Sequence, residues 1–359
     1  MAVETARVRA AWQGRVSGCI LGKPVEVLSF REGLDGLRAY LQQANALPLR
    51  NYIPALDGTL VERLGRGCCR DQIQRAEPDD DLNYTVLALM MLERNGHSFD
   101  TSDVARAWLQ LLPAGMTWTA ERAAYRKLLV NMADEFVNGA DAGFDLSICS
   151  DNASNEWIGA QIRADLYGWV CPGRPFLAAS MARRDASLSH RKEGVHGAEF
   201  IAALGAAIPA TVGLDEAIDV ALDYIPATCA AAAAVNRGRQ LAGQPDAVDR
   251  LHEKYGDLSP VHTVNNLALV IWALCSAEGD FSAAIGNAVA AGWDTDCNGA
   301  TVGGLCGLSG AAVPDAWTKP WQGRVAVSLA GCDELSVDDL VSRTIAVANK
   351  IKGDAYVVH

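Results

Sequence analysis

The chain has 359 residues and a formal net charge of −12, because 43 acidic side chains outnumber 31 basic ones. This excess argues against a nucleic acid or an anionic membrane surface as the main partner, since both would repel the protein. Half of the residues are hydrophobic and only 7% are aromatic, which is typical of closely packed helices. We therefore predict an all-α protein, with a single domain over residues 1–359.

Hydrophobic residues at helical spacing predict a first helix over residues 4–22, which ends at Gly22-Lys23-Pro24. Residues 44–78 are rich in proline and glycine and predict a long loop. The later segments at 193–208, 261–275 and 285–291 are small and apolar nearly all round, so we expect them inside the protein. After the first helix, helices are predicted at 82–92, 103–112, 121–133, 154–170, 193–210, 214–224, 227–242, 262–277, 280–291, 298–308 and 336–350, and these include the three apolar segments.

Membrane association is not expected from the apolar segments. Stretches such as Leu267 to Ala277 are too short to span a bilayer, and the first residues are charged where a signal peptide would be apolar. We therefore expect a cytoplasmic protein.

Three consecutive aspartates, Asp79, Asp80 and Asp81, stand at the start of an otherwise apolar predicted helix. Acidic side chains are favoured there by about 0.3–1 kcal/mol each, so helix capping explains one or two of them. Three adjacent negative charges repel each other unless positive charge is close. A bound cation is therefore the second interpretation.

A second acidic segment, Gly292-Trp293-Asp294-Thr295-Asp296-Cys297, lies between two apolar predicted helices. Asp294 and Asp296 can direct their oxygens toward one point, and such hard ligands suit Mg²⁺, Mn²⁺ or Ca²⁺ rather than zinc. Because buried unpaired charge is very costly, the segment needs either an ion or a hydrogen-bond network. The residues alone leave both interpretations open.

Together with Gly18-Cys19-Ile20-Leu21-Gly22-Lys23-Pro24-Val25-Glu26, these segments resemble the ADP-ribosylglycohydrolase family in order, type and spacing. The segment from Ser154 to Asp165 resembles a bacterial branch of that family, of the ADP-ribosyl-dinitrogen-reductase hydrolase type. The resemblance spans nearly the whole chain. It implies a compact all-α domain whose central cleft holds two divalent ions, with Mg²⁺ expected and Mn²⁺ as the alternative. It also implies a glycosidase that hydrolyses the bond at ribose C1 of an ADP-ribosylated acceptor.

The same resemblance implies roles for individual residues. Aligning Asp79 to Leu82 with a TDDT-like motif, and Gly292 to Cys297 with a GGDTDT-like motif, gives the expected metal ligands: Asp79, Asp80, Asp81, Asp294, Asp296 and Cys297. The implied catalytic residues are Glu26, Asp80 and Asp296, with Glu26 as a general base or a group that positions the ribose. The candidates for substrate contact are Trp293, Asn155, Arg163 and His190. A buried ion pair or a structural histidine is the alternative for Arg163 and His190.

The chain departs from the family pattern at four positions. Asp79 adds a charge where threonine is common. Cys297 stands where a threonine is usual, and sulfur suits magnesium poorly. Cys19 replaces an aspartate, and Trp293 replaces a glycine and could narrow the cleft. Three functions therefore stay open: a hydrolase of ADP-ribosylated side chains or small acceptors, a hydrolase of a small N-riboside or NAD-derived metabolite, and a catalytically silent ligand-binding relative.

Overall fold

Helices make up most of the protein in the computed structural model, which describes residues 3–354. The predicted domain limits, 1–359, extend at both ends beyond the described residues, and they stay a prediction. In chain order the elements are α1 (Thr5–Gly22), α2 (Glu26–Gln43), α3 (Leu60–Gly65), α4 (Asp80–Asn95), α5 (Thr101–Leu111), α6 (Thr119–Asn131), α7 (Gly159–Ile162), α8 (Asp165–Trp169), α9 (Pro175–Ala186), α10 (Lys192–Ala207), α11 (Leu214–Leu222), α12 (Ala230–Leu241), α13 (Ala247–Tyr255), α14 (Thr263–Ser276), α15 (Phe281–Ala290), α16 (Thr295–Leu308), α17 (Asp315–Thr318), β1 (Arg324–Leu329), β2 (Cys332–Ser336) and α18 (Val337–Asp354).

The centre of the fold is the crossing of α1 and α16, whose backbones touch at glycines. A Cβ added to Gly18 would lie only 1.9 Å from the carbonyl oxygen of Gly299, so neither position has room for a side chain. One turn further, the Thr295 hydroxyl donates a hydrogen bond to the Gly22 carbonyl oxygen at 2.8 Å. This contact brings the end of α1 against the start of α16, where the two family motifs lie.

One cluster of buried hydrophobic residues extends from Val8 in α1 to Ile351 in α18. Helix α14 is buried at every position from Thr263 to Leu274, and α10 and α15 are buried at most positions. The prediction that these small, apolar helices lie inside is confirmed. The prediction of an all-α protein is also confirmed, with a two-stranded sheet as the exception.

Several elements differ from the sequence prediction. The predicted loop over 44–78 contains the short helix α3. Helix α2, which precedes this loop, was not predicted. Gly33 at φ +66 bends α2 and interrupts the spacing of its hydrophobic residues. The predicted helix over 154–170 is divided into α7 and α8. Helices α9 and α13 were not predicted either.

The strands β1 and β2 form an antiparallel pair in which Arg324 faces Ser336. Three consecutive residues of β1, Val325 to Val327, are buried, so the strand lacks the alternation of polar and apolar residues that marks a half-exposed strand. That burial explains why no strand was predicted here. Within residues 3–354, no helix has both the length and the apolar character needed to cross a membrane.

Candidate active site

The two acidic segments meet where α4 and α16 begin. Asp79 is the N-cap of α4, and its carboxylate accepts a hydrogen bond from the Asp81 backbone N–H at 3.0 Å. Helix capping therefore explains Asp79, whereas Asp80 and Asp81 follow in the first turn. The second segment is held by Asn266 of α14, whose side-chain oxygen accepts from the Asp294 backbone N–H at 3.3 Å and from the Asn298 amide at 2.7 Å.

The acidic side chains of these segments converge with Glu26 on one region. The donor atoms fall into three groups, in each of which they lie within 4.8 Å of one another. Asp81 and Asp296 each belong to two groups, so the three adjoin. The groups are Cys19 with Asp79 and Asp81, Asp81 with Asp296 and Cys297, and Glu26 with Asp294 and Asp296.

Burial and mutual repulsion destabilise the charged form of these carboxylates when no cation is bound. Burial, reinforced by Asp79, raises the pKa of Asp296 to about 6. The pKa values of Glu26, Asp80, Asp81 and Asp294 are raised well above the usual range, again first by burial and then chiefly by neighbouring carboxylates, with Arg15 opposing the shift at Asp81. A nearby cation would remove this penalty.

In these acidic groups, Oδ2 of Asp81 and Oδ1 of Asp294 are buried and have no hydrogen-bond partner among residues 3–354. Unpaired buried oxygens of this kind are rare in folded proteins. Together with the donor set, they fit a site for a hard divalent cation.

Basic side chains balance only part of this charge. Lys23 Nζ lies 2.5 Å from Asp79 Oδ2, and this ammonium lowers the pKa of Asp79 although burial acts in the opposite direction. Arg15 is buried and donates hydrogen bonds to Asp81 Oδ1 at 3.2 Å, to the Asp81 carbonyl oxygen at 2.9 Å and to Asp165 Oδ2 at 2.9 Å. Because Arg15 is shared with Asp165, an excess of negative charge remains.

The acidic groups form one end of a cavity of about 470 Å³. Glu26, Asp79, Asp80, Asp294 and Asp296 line this end. Much of the remaining wall is apolar or aromatic, and it includes Phe30, Met116, Trp118, Trp157, Ile158, Ile162 and Val261. The cavity therefore combines a strongly acidic end with surfaces on which a planar ring can stack.

Glu121 also lines the cavity, and the sequence analysis did not identify it. Arg163 Nη1 donates to Glu121 Oε1 at 2.6 Å. A Cβ added to Gly159 would lie 2.1 Å from the same oxygen, so glycine at residue 159 leaves the space that this carboxylate occupies. Burial raises the pKa of Glu121, and Arg163 opposes that shift. In the sequence, Glu121 looks like any acidic residue in the first turn of a helix.

Arg163 and His190, two of the expected substrate contacts, lie behind Glu121 and do not line the cavity among the described residues. Arg163 also donates to Asp185 Oδ1 at 3.0 Å and to Ser189 Oγ at 3.2 Å. His190 Nδ1 is 2.8 Å from Ser189 Oγ, and burial together with Arg163 holds the pKa of His190 well below its usual range. These residues form a buried network that supports Glu121.

Asn155 and Trp293 likewise lie outside the cavity lining of residues 3–354. The Asn155 amide donates to the Ser150 carbonyl oxygen at 3.1 Å. Trp293 stacks on His252 with ring centroids 4.1 Å apart, and its backbone oxygen accepts from Ser29 at 2.9 Å. The indole therefore packs against a neighbouring helix and does not narrow the cavity.

Comparisons with known proteins show that this protein is a hydrolase and which family it belongs to. A sequence model of the ADP-ribosylglycohydrolase family matches residues 2–349, so the chain belongs to this family, as predicted. Glycosyl hydrolase activity on ADP-ribose derivatives is the activity of the family, and its members typically use divalent metals.

One solved structure with the same fold is described as an ADP-ribosylglycohydrolase-related protein complex. It is 20% identical, with a TM-score of 0.61, and the match covers 97% of this chain and 98% of that one. A search of curated proteins found no match. At this identity the structural likeness supports the fold alone.

Proposed function

We propose that the protein is a divalent-metal-dependent hydrolase that cleaves the glycosidic bond at ribose C1 of an ADP-ribosylated acceptor. The observation that carries the proposal is the convergence of five carboxylates at one end of the cavity with Asp81 beside them. Asp81 and Asp294 each have a buried oxygen without a hydrogen-bond partner among the described residues. Two ions are expected, with Mg²⁺ preferred and Mn²⁺ as the alternative.

The residues that would hold the metal are the carboxylates shared between the adjoining groups. Asp81 and Asp296 are the strongest candidates, with Asp294 and Asp79 beside them. Burial and Asp294 keep the pKa of Cys297 well above its usual value, and a neutral thiol is a poor partner for a hard ion. We therefore propose carboxylate ligands and not the Cys297 sulfur. When bound, a divalent cation supplies positive charge that orients ribose hydroxyls and lowers the pKa of a water molecule.

Three carboxylates that line the cavity are placed to contact the substrate directly. Glu26 lines the cavity and adjoins Asp294 and Asp296, a position from which its carboxylate can accept a proton and later return it. Glu121 is held by Arg163 and offers its other oxygen to a substrate hydroxyl. Asp80 lines the same end and can accept a further hydrogen bond.

The apolar wall would bind the rest of the substrate. Trp118 and Trp157 offer aromatic faces on which an adenine ring could stack, and Phe30 and Val261 add apolar surface to the same wall.

The test is direct hydrolysis of a panel of compounds followed by mass spectrometry. The panel contains ADP-ribosyl-arginine, ADP-ribosyl-serine, O-acetyl-ADP-ribose and NAD-derived ribosides, each with Mg²⁺ or with a chelator. We expect metal-dependent release of ADP-ribose by the wild type, loss of release in Asp294→Asn, and wild-type release in Asp257→Asn, which removes an exposed aspartate.

Two other outcomes would replace the proposal. Hydrolysis of the ribosides alone would indicate a small-metabolite hydrolase. Metal binding without turnover of any compound would indicate a silent ligand-binding relative.

A further inference from the structure

A second cluster of potential metal ligands lies outside the cavity lining. Glu193 and His196 stand on the first turns of α10, and Cys229 is the N-cap of α12. The donor atoms of the three side chains all lie within 4.8 Å of one another, and each residue is half-buried. The cluster shares no residue with the acidic groups of the cavity.

The spacing of these atoms is compatible with binding of one metal ion. His196 Nδ1 lies 3.7 Å from Glu193 Oε2, which is too long for a hydrogen bond. The same nitrogen is buried and has no hydrogen-bond partner in the described part of the chain. Two ligands about 2.1 Å from a tetrahedral ion lie about 3.4 Å apart, so the pair needs to close by only a few tenths of an ångström.

Backbone N–H groups at the start of α12 hold the other two potential ligand atoms in place. Cys229 Sγ accepts from the Ala232 backbone N–H at 3.3 Å, and Glu193 Oε2 accepts from the Ala231 backbone N–H at 2.7 Å. Glu193 and His196 are three residues apart, so they project from the same face of α10. The three donors are therefore preorganised by two helices.

We propose that Glu193, His196 and Cys229 form a zinc-binding site that joins α10 to α12. One sulfur, one imidazole nitrogen and one carboxylate oxygen form a donor set that suits Zn²⁺, whereas Mg²⁺ prefers oxygen ligands alone. The three protein ligands leave the fourth tetrahedral position to water. Zinc would bind the Cys229 thiolate, so binding releases the thiol proton to solvent.

The site lies behind one wall of the cavity. The Arg191 backbone N–H, at the start of α10, donates to the Asn155 carbonyl oxygen at 2.9 Å. A Cβ on Gly194 would lie 2.6 Å from the same oxygen, so α10 packs closely on this segment. Trp157, two residues further on, lines the cavity. Zinc would therefore stabilise the helix on which this aromatic wall rests.

The test uses Co²⁺ as a spectroscopic substitute for zinc, with reduced full-length protein and excess Mg²⁺ to occupy the acidic cavity. Cobalt bound to a thiolate gives a charge-transfer band in the near ultraviolet. We expect this band in the wild type and its loss in Cys229→Ser, whose hydroxyl keeps the N-cap of α12. The matched control is the double variant Cys19→Ser, Cys297→Ser, which removes both thiols of the acidic ligand groups and should keep the band.

Zinc titration gives the second measurement. The wild type should bind one Zn²⁺ in the presence of Mg²⁺ and unfold at a higher temperature with zinc, because zinc binds the folded state. His196→Ala should weaken zinc binding at least tenfold. A wild type without a cobalt-thiolate band, or a band that survives Cys229→Ser, would overturn the proposal. Loss of the band in the double variant would also overturn it, because the thiolate would then belong to the cavity.

Discussion

Replacing Gly18 with alanine tests how the α1–α16 crossing positions the acidic residues. The new Cβ would lie 1.9 Å from the Gly299 carbonyl oxygen, whereas ordinary contact begins at 3.4 Å, so the helices must separate by about 1.5 Å. The obstacle is backbone, which cannot rotate away as a side chain could. We expect a cost of about 3 kcal/mol, at the upper end for overpacked cores.

The thermal shift follows from the size of the chain. About 2.1 cal/mol/K per residue over 359 residues gives an unfolding entropy of about 0.75 kcal/mol/K, so Tm should fall by about 4 °C. The separation also moves Glu26 away from Asp294, and Mg²⁺ binding measured by calorimetry should weaken. Gly67→Ala is the control, because its added Cβ meets no atom nearer than 3.9 Å. A Gly18→Ala protein with unchanged Tm and Mg²⁺ affinity would refute this reasoning.

Three further predictions follow from the buried charges. Arg15→Met leaves buried carboxylates without their partner, so the free energy of unfolding in urea should fall by about 3–5 kcal/mol. The control Arg9→Met removes an exposed ion pair and should lower it by less than about 1 kcal/mol. Equal losses in the two variants would contradict this prediction. Glu121→Gln should reduce kcat at least tenfold while calorimetry shows unchanged Mg²⁺ binding, and full activity would exclude a role for this carboxylate. Because the pKa of Asp296 is raised to about 6 from about 3.9 when unfolded, the metal-free folded state holds the proton more tightly; its stability should fall as pH rises from about 4 to about 6. Added Mg²⁺ should reverse that fall above pH 6, and a Tm that rises with pH in chelator would show the wrong sign.

The sequence was most informative where chemically related residues are neighbours in the chain. Asp79, Asp80 and Asp81 share one helix start, and Asp294 and Asp296 share another, so their local pattern already indicated a polar site among apolar helices. Glu26 reaches Asp294 and Asp296 through a glycine contact between α1 and α16, which are almost 300 residues apart. Composition and spacing cannot predict that contact, and the family resemblance implied only that these residues share one cleft.

Residues that act through distant partners were harder to find. Glu121 depends on Arg163 and on the space above Gly159, neither of which its own neighbourhood in the sequence suggests. Arg15 left a weak signal, because it is the basic residue in the apolar middle of a helix. Such a position indicates a buried ion pair, and Asp81 and Asp165 provide it.

The direction of a side chain at a turn was also beyond the sequence. The family resemblance implies glycine at the position of Trp293, and the backbone of Trp293 has φ +57, in the left-handed region that favours glycine. That backbone directs the indole onto His252 and away from the cavity. The effect of the substitution is therefore on packing beside the acidic loop.

The most direct test of the central claim is diffraction from crystals grown with Mn²⁺, measured at a wavelength where manganese scatters anomalously. We expect anomalous density within coordination distance of Asp81 and Asp296, and its loss in crystals of Asp296→Asn. Manganese-dependent hydrolysis by crystals that show no anomalous density near these carboxylates would contradict the proposed metal site.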